Sequence, residues 1–233
     1  MAIYGRAVRG TWVLGLICCL LAPAAMADDE GPYVIIGAGP SMLRNACDNP
    51  WFPYVATMGP AGACSEKNLA YRAAIGYQYT PMWGLELSYG TFGYAHSEGV
   101  VNYPAPPVDI GPMNYSWQLR ARGLALHAVA TVHMGDVMSL IGKFGVARVE
   151  YDEYIYGWNT ALVYPYTSWY FSPVINEKRN TLALGGGVQF DLGPHGSIRL
   201  LAETFGRHNI YQAYGQSTKV MPVMATFNLM YRY

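Results

Sequence analysis

Few side chains in this 233-residue chain have the types and spacing that chemistry requires. His127 and His133 lie six positions apart on one extended segment, and at ~3.3 Å per residue that puts them roughly 20 Å apart, too far to share a metal ion. His96 and Ser97 adjoin in a stretch that reads as a loop, without a third group to complete a nucleophile and its base. The chain carries no HExxH pair, no nucleophile elbow and no glycine loop of the kind that cradles phosphate. The expectation is a protein that is not an enzyme and holds no metal and no cofactor. Two sets of residues remain: the cysteines Cys47 and Cys64, and the charged side chains Arg72, Glu86, Arg120, Lys143, Arg199 and Glu203, which alternate with apolar or small residues in their segments. The chemistry open to such charges is ion pairing in a place that water hardly reaches.

The elements that must hold them begin with export. Residues 1–27 read as a removable signal, with Arg6 and Arg9 in front of an apolar run from Trp12 to Leu21 and small residues at Ala25 and Ala27, so cleavage is expected after Ala27. The uncharged stretch is interrupted by Pro23 and is shorter than the ~20 residues a spanning helix needs. What remains, residues 28–233, reads as one domain with 13 basic against 15 acidic residues, a net charge of −2. No basic stripe marks a nucleic-acid binder. Tyr and Gly are abundant and charge is sparse, and no later stretch is apolar for long enough to span a membrane as a helix. Hydrophobicity in such a chain is hidden in alternation, which is how a membrane barrel presents one face to lipid and the other to its lumen.

The alternation is explicit. Between Asn68 and Tyr79, Leu69, Tyr71, Ala73, Ile75, Tyr77 and Tyr79 share one face, and after a turn at 80–82 the pattern resumes with Trp83, Leu85, Leu87 and Tyr89. Pro32 to Leu43 gives a first strand, with Tyr33 and Ile35 on one face. A fourth strand pairs Trp117, Leu119 and Ala121 against Gln118, Arg120 and Arg122, but beyond Gly123 the apolar set becomes Leu124, Leu126, Ala128, Ala130 and Val132, which predicts a β-bulge at that glycine. Leu140, Phe144 and Val146 then face away from Lys143, Thr181 to Leu192 puts Leu184, Val188 and Phe190 outside, and Ile198, Leu200 and Ala202 oppose Arg199 and Glu203. From Met221 onward every second residue is apolar, through Phe227, Leu229 and Tyr231 to Tyr233.

Short turns at 80–82, 134–137 and 193–196 alternate with long connections at about 45–67, 95–114, 150–179 and 206–218. Tight turns on one side and extended loops on the other are the asymmetry of outer-membrane barrels. The fold expected is an all-β, eight-stranded, antiparallel up-and-down transmembrane β-barrel, with both termini in the periplasm. Because export delivers Cys47 and Cys64 to an oxidising compartment, and both fall in the first long connection, a disulfide is expected between them.

The run Leu-Ala-Tyr-Arg-Ala-Ala-Ile-Gly-Tyr-Gln-Tyr-Thr-Pro-Met-Trp-Gly-Leu-Glu-Leu-Ser-Tyr at 69–89 resembles the second hairpin region of OmpA-like outer-membrane β-barrel domains. Leu140 to Arg148, with its Gly-Lys-Phe-Gly core, is similar to that family's fifth strand, and Arg199 to Phe205 to its seventh. The resemblance implies a bacterial outer-membrane protein, and a lumen charge cluster to which Glu86, Lys143 and Glu203 correspond. The eighth strand departs from the pattern with Thr226 and Asn228 at the matching inward positions, so Arg72 or Arg120 is the candidate to supply the missing cation. It further implies that Phe227, Leu229, Tyr231 and Tyr233 form the signal read by the outer-membrane assembly machinery. No peptidoglycan-binding domain is expected after the barrel.

Three functional readings stand at this point. The first is a non-enzymatic barrel with an envelope-structural role, in contact with outer-membrane lipid and lipopolysaccharide, and with long loops that offer a surface to a host or neighbouring ligand. The second is a small, low-conductance, porin-like channel, in which the charged residues gate rather than fill the lumen. The third is a barrel enzyme acting on lipid or peptide. Residues 151–171 are dense in aromatics, among them Tyr151, Tyr154, Tyr156, Trp158, Tyr164, Tyr166, Trp169, Tyr170 and Phe171, and these read either as a binding surface or as part of the interfacial girdle.

Overall fold

Period-two alternation lets each segment bury one face only if its edges are paired, and the chain meets that demand by closing its sheet on itself. A computed structural model describes residues 30–48, 64–105, 108–159, 175–211 and 217–233; the expected signal at 1–27 lies outside these residues. The strands are β1 (Gly31–Arg44), β2 (Cys64–Ser65), β3 (Lys67–Gln78), β4 (Trp83–Ala105), β5 (Val108–His133), β6 (Met138–Asn159), β7 (Ile175–Asp191), β8 (Gly196–Phe205), β9 (His208–Tyr211) and β10 (Ser217–Arg232). Eight of them pair in the order β1-β3-β4-β5-β6-β7-β8-β10, and β10 returns to β1 along a register from Tyr33↔Arg232 to Arg44↔Met221. Every pairing is antiparallel. The two short extra strands flank this ring, β2 on β4 and β9 on β10.

The three tight turns fall where the sequence puts them. Each is closed by a backbone bond across its neck, Tyr79 N to Trp83 O (2.9 Å), Met134 N to Met138 O (2.8 Å) and Leu192 N to Gly196 O (2.8 Å). Gly135 and Gly193 take positive φ, which a side chain would strain. At the opposite end the sequence reading needs correction. Segments 95–105, 108–114, 150–159 and 175–179 are not loop but strand, so β4 to β7 rise well beyond the apolar band. Tyr151, Tyr154 and Tyr156 therefore sit in β6, while Tyr164, Tyr166, Trp169, Tyr170 and Phe171 lie outside the described residues.

The bulge also sits elsewhere. Through Gly123, β5 pairs with β6 without a break in register, and its odd-numbered residues face inward from Tyr115 to Thr131. The apolar pattern changes at Gly123 because the outward face leaves the membrane there: Leu124, Leu126 and Val132 meet lipid, while Gln118, Arg120 and Arg122 meet water. The register shift is on the neighbouring strand β4, between Thr91 and Tyr94. Gly93 adopts φ +70 there, Ser41 Oγ donates to Phe92 O (2.8 Å) and Asn68 Nδ2 donates to Tyr94 O (2.9 Å), so the carbonyls freed by the extra residue are satisfied by side chains.

Outward, the wall is apolar: Tyr71, Ile75, Leu85, Leu87, Leu126, Phe144, Val146, Leu184, Phe227 and Leu229 are all exposed on it. Inward, the barrel has two zones. Toward the tight turns it holds Gln78, Ser139, Gln189, Ser197 and the charged residues; toward the long-strand end it holds a continuous apolar cluster of Leu43, Phe92, Trp117, Leu119, Val149, Tyr151, Phe205, Ile210 and Met224 with several alanines.

Candidate functional site

The inward charges come from strands whose parity leaves them no other face. On β3 the even positions turn in, which brings Arg72 inside between Ala70 and Ala74; on β4 they bring in Glu86 between Gly84 and Ser88. Lys143 enters from β6, and Arg199 and Glu203 enter from β8. All five side chains are at most 4% exposed.

They form one network. Lys143 Nζ lies 2.6 Å from Glu86 Oε1 and 2.8 Å from Glu203 Oε1. Arg72 reaches the same two carboxylates, with Nη2 on Glu86 and Nη1 3.0 Å from Glu203 Oε2. Arg199 Nη1 stands 3.4 Å from Glu86 Oε2, its Nε donates to Gln189 Oε1 (2.6 Å), and its guanidinium lies 5.0 Å over the Tyr33 ring. Glu86 is thus the hub, with three cations and, at 3.5 Å, the Tyr33 hydroxyl around it. Three cations to two carboxylates leave the network with one positive charge over. Charges this deeply desolvated persist because each is paired and hydrogen-bonded; a lone one would cost several kcal/mol.

Thr226 and Asn228 occupy the inward face of β10 beside this network. Asn228 Nδ2 donates to Thr226 Oγ1 (2.9 Å) and to Arg199 O (3.2 Å), so the eighth stave contributes hydrogen bonds where a cation is absent. Arg72 is one of the three cations here and Arg120 is not. Arg120 shares the outward parity of Leu124 on an unbulged β5, so it is exposed on the outer wall, with its guanidinium 5.1 Å over the Tyr154 ring and Nη2 donating to Gln118 Oε1 (3.2 Å).

Three features of the lumen lie outside the sequence reading. One is the apolar plug above the charges, where Phe92 and Phe205 meet edge to face at 4.6 Å. Another is Trp117, inside the plug, donating its indole N–H to Glu153 Oε1 (2.7 Å). The third is His127, fully buried on the inward face of β5, 6.5 Å from the Phe205 ring, while His133 is exposed near the turn.

The cysteines bond, Cys47 Sγ to Cys64 Sγ, with their Cα atoms 5.9 Å apart. That bond fastens the end of β1 to β2, and β2 pairs with β4 through Cys64↔Ser97 and Ser65↔His96. Phe227, Leu229, Tyr231 and Tyr233 line the lipid-facing side of the last stave, all exposed.

The chain matches the model of the OmpA-like transmembrane domain over residues 27–232. No curated protein matches it. Among solved structures it is similar to Ail, the attachment invasion locus protein of Yersinia pestis, in complex with the heparin analogue sucrose octasulfate (13% identity, 87% of this chain and 99% of that chain, TM-score 0.44). It is also similar to Neisserial surface protein A (12% identity, 87% and 97%, TM-score 0.46) and to the outer membrane protein OprG from Pseudomonas aeruginosa (12%, 88% and 98%, TM-score 0.45). With the family model matched across the whole barrel and eight antiparallel staves closed into a ring, the chain belongs to the OmpA-like transmembrane domain family of bacterial outer-membrane β-barrels.

Proposed function

We propose that this barrel is a non-conducting, non-enzymatic element of the outer membrane that adds to envelope integrity and carries a strand-built platform to the cell surface. The observation that supports this reading most directly is the filled lumen. An ion following the axis would have to pass the Glu86 network and then a close-packed core of Phe92, Trp117, Leu119, Tyr151 and Phe205, in which the buried Glu153 already takes the Trp117 indole N–H. Eight staves leave an interior only as wide as the side chains that fill it.

The platform is the upper part of β4 to β7, where the apolar wall ends and residues such as Glu98, Ser116, Gln118 and Asp152 face water. Tyr154 and Tyr156 stack there, nearly parallel with centroids 6.5 Å apart, a flat aromatic surface of the kind used to bind partners. A surface ligand through these elements, and reading of the Phe227 to Tyr233 face by the assembly machinery, belong to the same proposal.

Planar-bilayer recording tests the central point. Folded protein is expected to give no discrete openings. Reproducible openings that disappear on Lys143→Ala or Glu86→Ala would overturn the reading in favour of a gated channel.

A further inference from the structure

Where the outer wall of β5, β6 and β7 passes from apolar to polar, the structure holds a shallow concavity of roughly 240 Å³. Arg122, Arg148, Lys178, Glu150, Tyr89 and Leu124 line it. Two rows of outward side chains build it. Arg122, Glu150 and Lys178 are paired across three neighbouring strands, and directly below them Tyr89, Leu124 and Arg148 are paired across β4, β5 and β6.

The upper row is pre-arranged. Glu150 takes Arg122 Nε at 3.1 Å on one side and Lys178 Nζ at 3.1 Å on the other, and Asn176 Nδ2 donates to it at 2.9 Å. One carboxylate thus holds two cations at a fixed spacing of two strands, roughly 10 Å between backbones. Both cationic side chains stay about half exposed, at 48% and 47%, so each keeps donors free for a further acceptor.

Arg148 in the lower row is exposed, and among the described residues it has no carboxylate within ion-pair distance. The lining therefore carries three cations against one carboxylate, with Asp152 just outside it, its Oδ2 3.5 Å from Arg122 Nη2, so Arg148 and Lys178 are the cations left most available. Immediately below it the wall is hydrocarbon: Leu124, Leu126, Val146 and Leu182 are among its exposed apolar side chains. Val146 stands two residues below Arg148 on the same face, about 6.6 Å along the strand.

We propose that this concavity seats a phosphate of an acylated glycolipid in the outer leaflet, the lipid A part of lipopolysaccharide, with Arg148 and Lys178 as its principal donors and the acyl chains lying down the Val146 and Leu182 wall. A phosphomonoester carries up to two negative charges and several acceptor oxygens, which matches the Arg148 guanidinium and the N–H donors that Lys178 keeps beyond its pairing with Glu150. The position favours an amphiphile over a soluble anion, because the donors open directly onto the lipid-facing wall.

The test uses the purified, folded full barrel in neutral detergent and measures retained lipid by native mass spectrometry at rising ionic strength. Probes are bisphosphorylated lipid A, the same lipid dephosphorylated, and inorganic phosphate. The wild-type chain is expected to retain phosphorylated lipid A at least about tenfold better than the dephosphorylated form, as fits two charge-assisted contacts. Arg148→Gln with Lys178→Gln is expected to remove most of that preference, whereas Lys67→Gln, an exposed cation on the wall at β3, leaves it unchanged. Equal retention of the two lipids, an unchanged preference in the double variant, or inorganic phosphate displacing lipid A at comparable concentration would each overturn the proposal. The comparison of lipids on the wild-type chain needs no variant to fold.

Discussion

The Tyr33 ring on β1 lies in the space left by the missing side chain of Gly76, its direct partner on β3. Folded flat over that glycine, the ring offers its face to Arg199, and the guanidinium in turn reaches Glu86. The glycine therefore acts on the charge network through an aromatic intermediary.

Gly76→Ala is expected to push the ring off its seat and to destabilise the barrel by about 1–3 kcal/mol, the usual range for overpacking. Equilibrium urea unfolding in lipid vesicles measures it. Loss of under a few tenths of a kcal/mol would show that the ring finds another seat at no cost.

Charge balance within the network predicts an order. Removing Lys143 leaves two cations with two carboxylates, whereas removing the charge on Glu86 leaves three cations with one. Glu86→Gln should therefore cost about 3–5 kcal/mol, the range for breaking a buried pair, and Lys143→Met clearly less. The same unfolding assay ranks them, and a Lys143→Met loss equal to or above that of Glu86→Gln would contradict this account of the network.

Phe92 and Phe205 hold the plug together from β4 and β8. Each truncation to Ala should cost about 3–5 kcal/mol. Because the rings touch, the double variant should lose less than the two singles together, by about 0.5–1.5 kcal/mol. Strict additivity in a double-mutant cycle would mean that the edge-to-face contact contributes nothing beyond area.

Glu150, above the apolar band, carries a pH signature. The hydrogen bond from Asn176, then those from Lys178 and Arg122, hold its carboxyl down at about 2, below an ordinary value of 4.5. A carboxyl depressed on folding stabilises the folded state above its unfolded value, and that contribution is lost as pH falls through the folded one. Stability of the wild-type barrel should therefore decline between about pH 4.5 and about pH 2 more steeply than that of Glu150→Gln, with the two curves parallel above that window. Unfolding midpoints across pH 2 to 7 decide it, and coincident slopes in the acid range would refute the assignment.

Much of the barrel is legible in the sequence because parity is rigid. Once Leu85 and Leu87 are placed in lipid, Glu86 has only the lumen, and the same holds for Lys143 between Gly142 and Phe144. Arg120 escapes this logic. The change of apolar phase at Gly123 looks like a shifted backbone but is a change of solvent on the outer face, and the backbone shift one strand away carries no comparable mark beyond Gly93. The plug is hidden for a related reason: Phe92, Trp117, Leu119 and Val149 are the same residue types that face lipid elsewhere, so hydrophobicity alone does not say which side they take. The strand extensions at 95–105 and 108–114 are obscured by Gly99, Pro104, Gly111 and Pro112, which read as loop punctuation.

The extra residue at Phe92–Gly93 works like a frameshift in the wall. Below it, even-numbered residues of β4 look inward; above it, Ala95 and Ser97 do, and Tyr94 and Glu98 look out. Deleting Gly93 alone would swap the two sets along the upper strand, driving a carboxylate into the greasy interior and turning small interior residues toward water. One glycine thus keeps two differently solvated storeys of the same strand in register with their own surroundings.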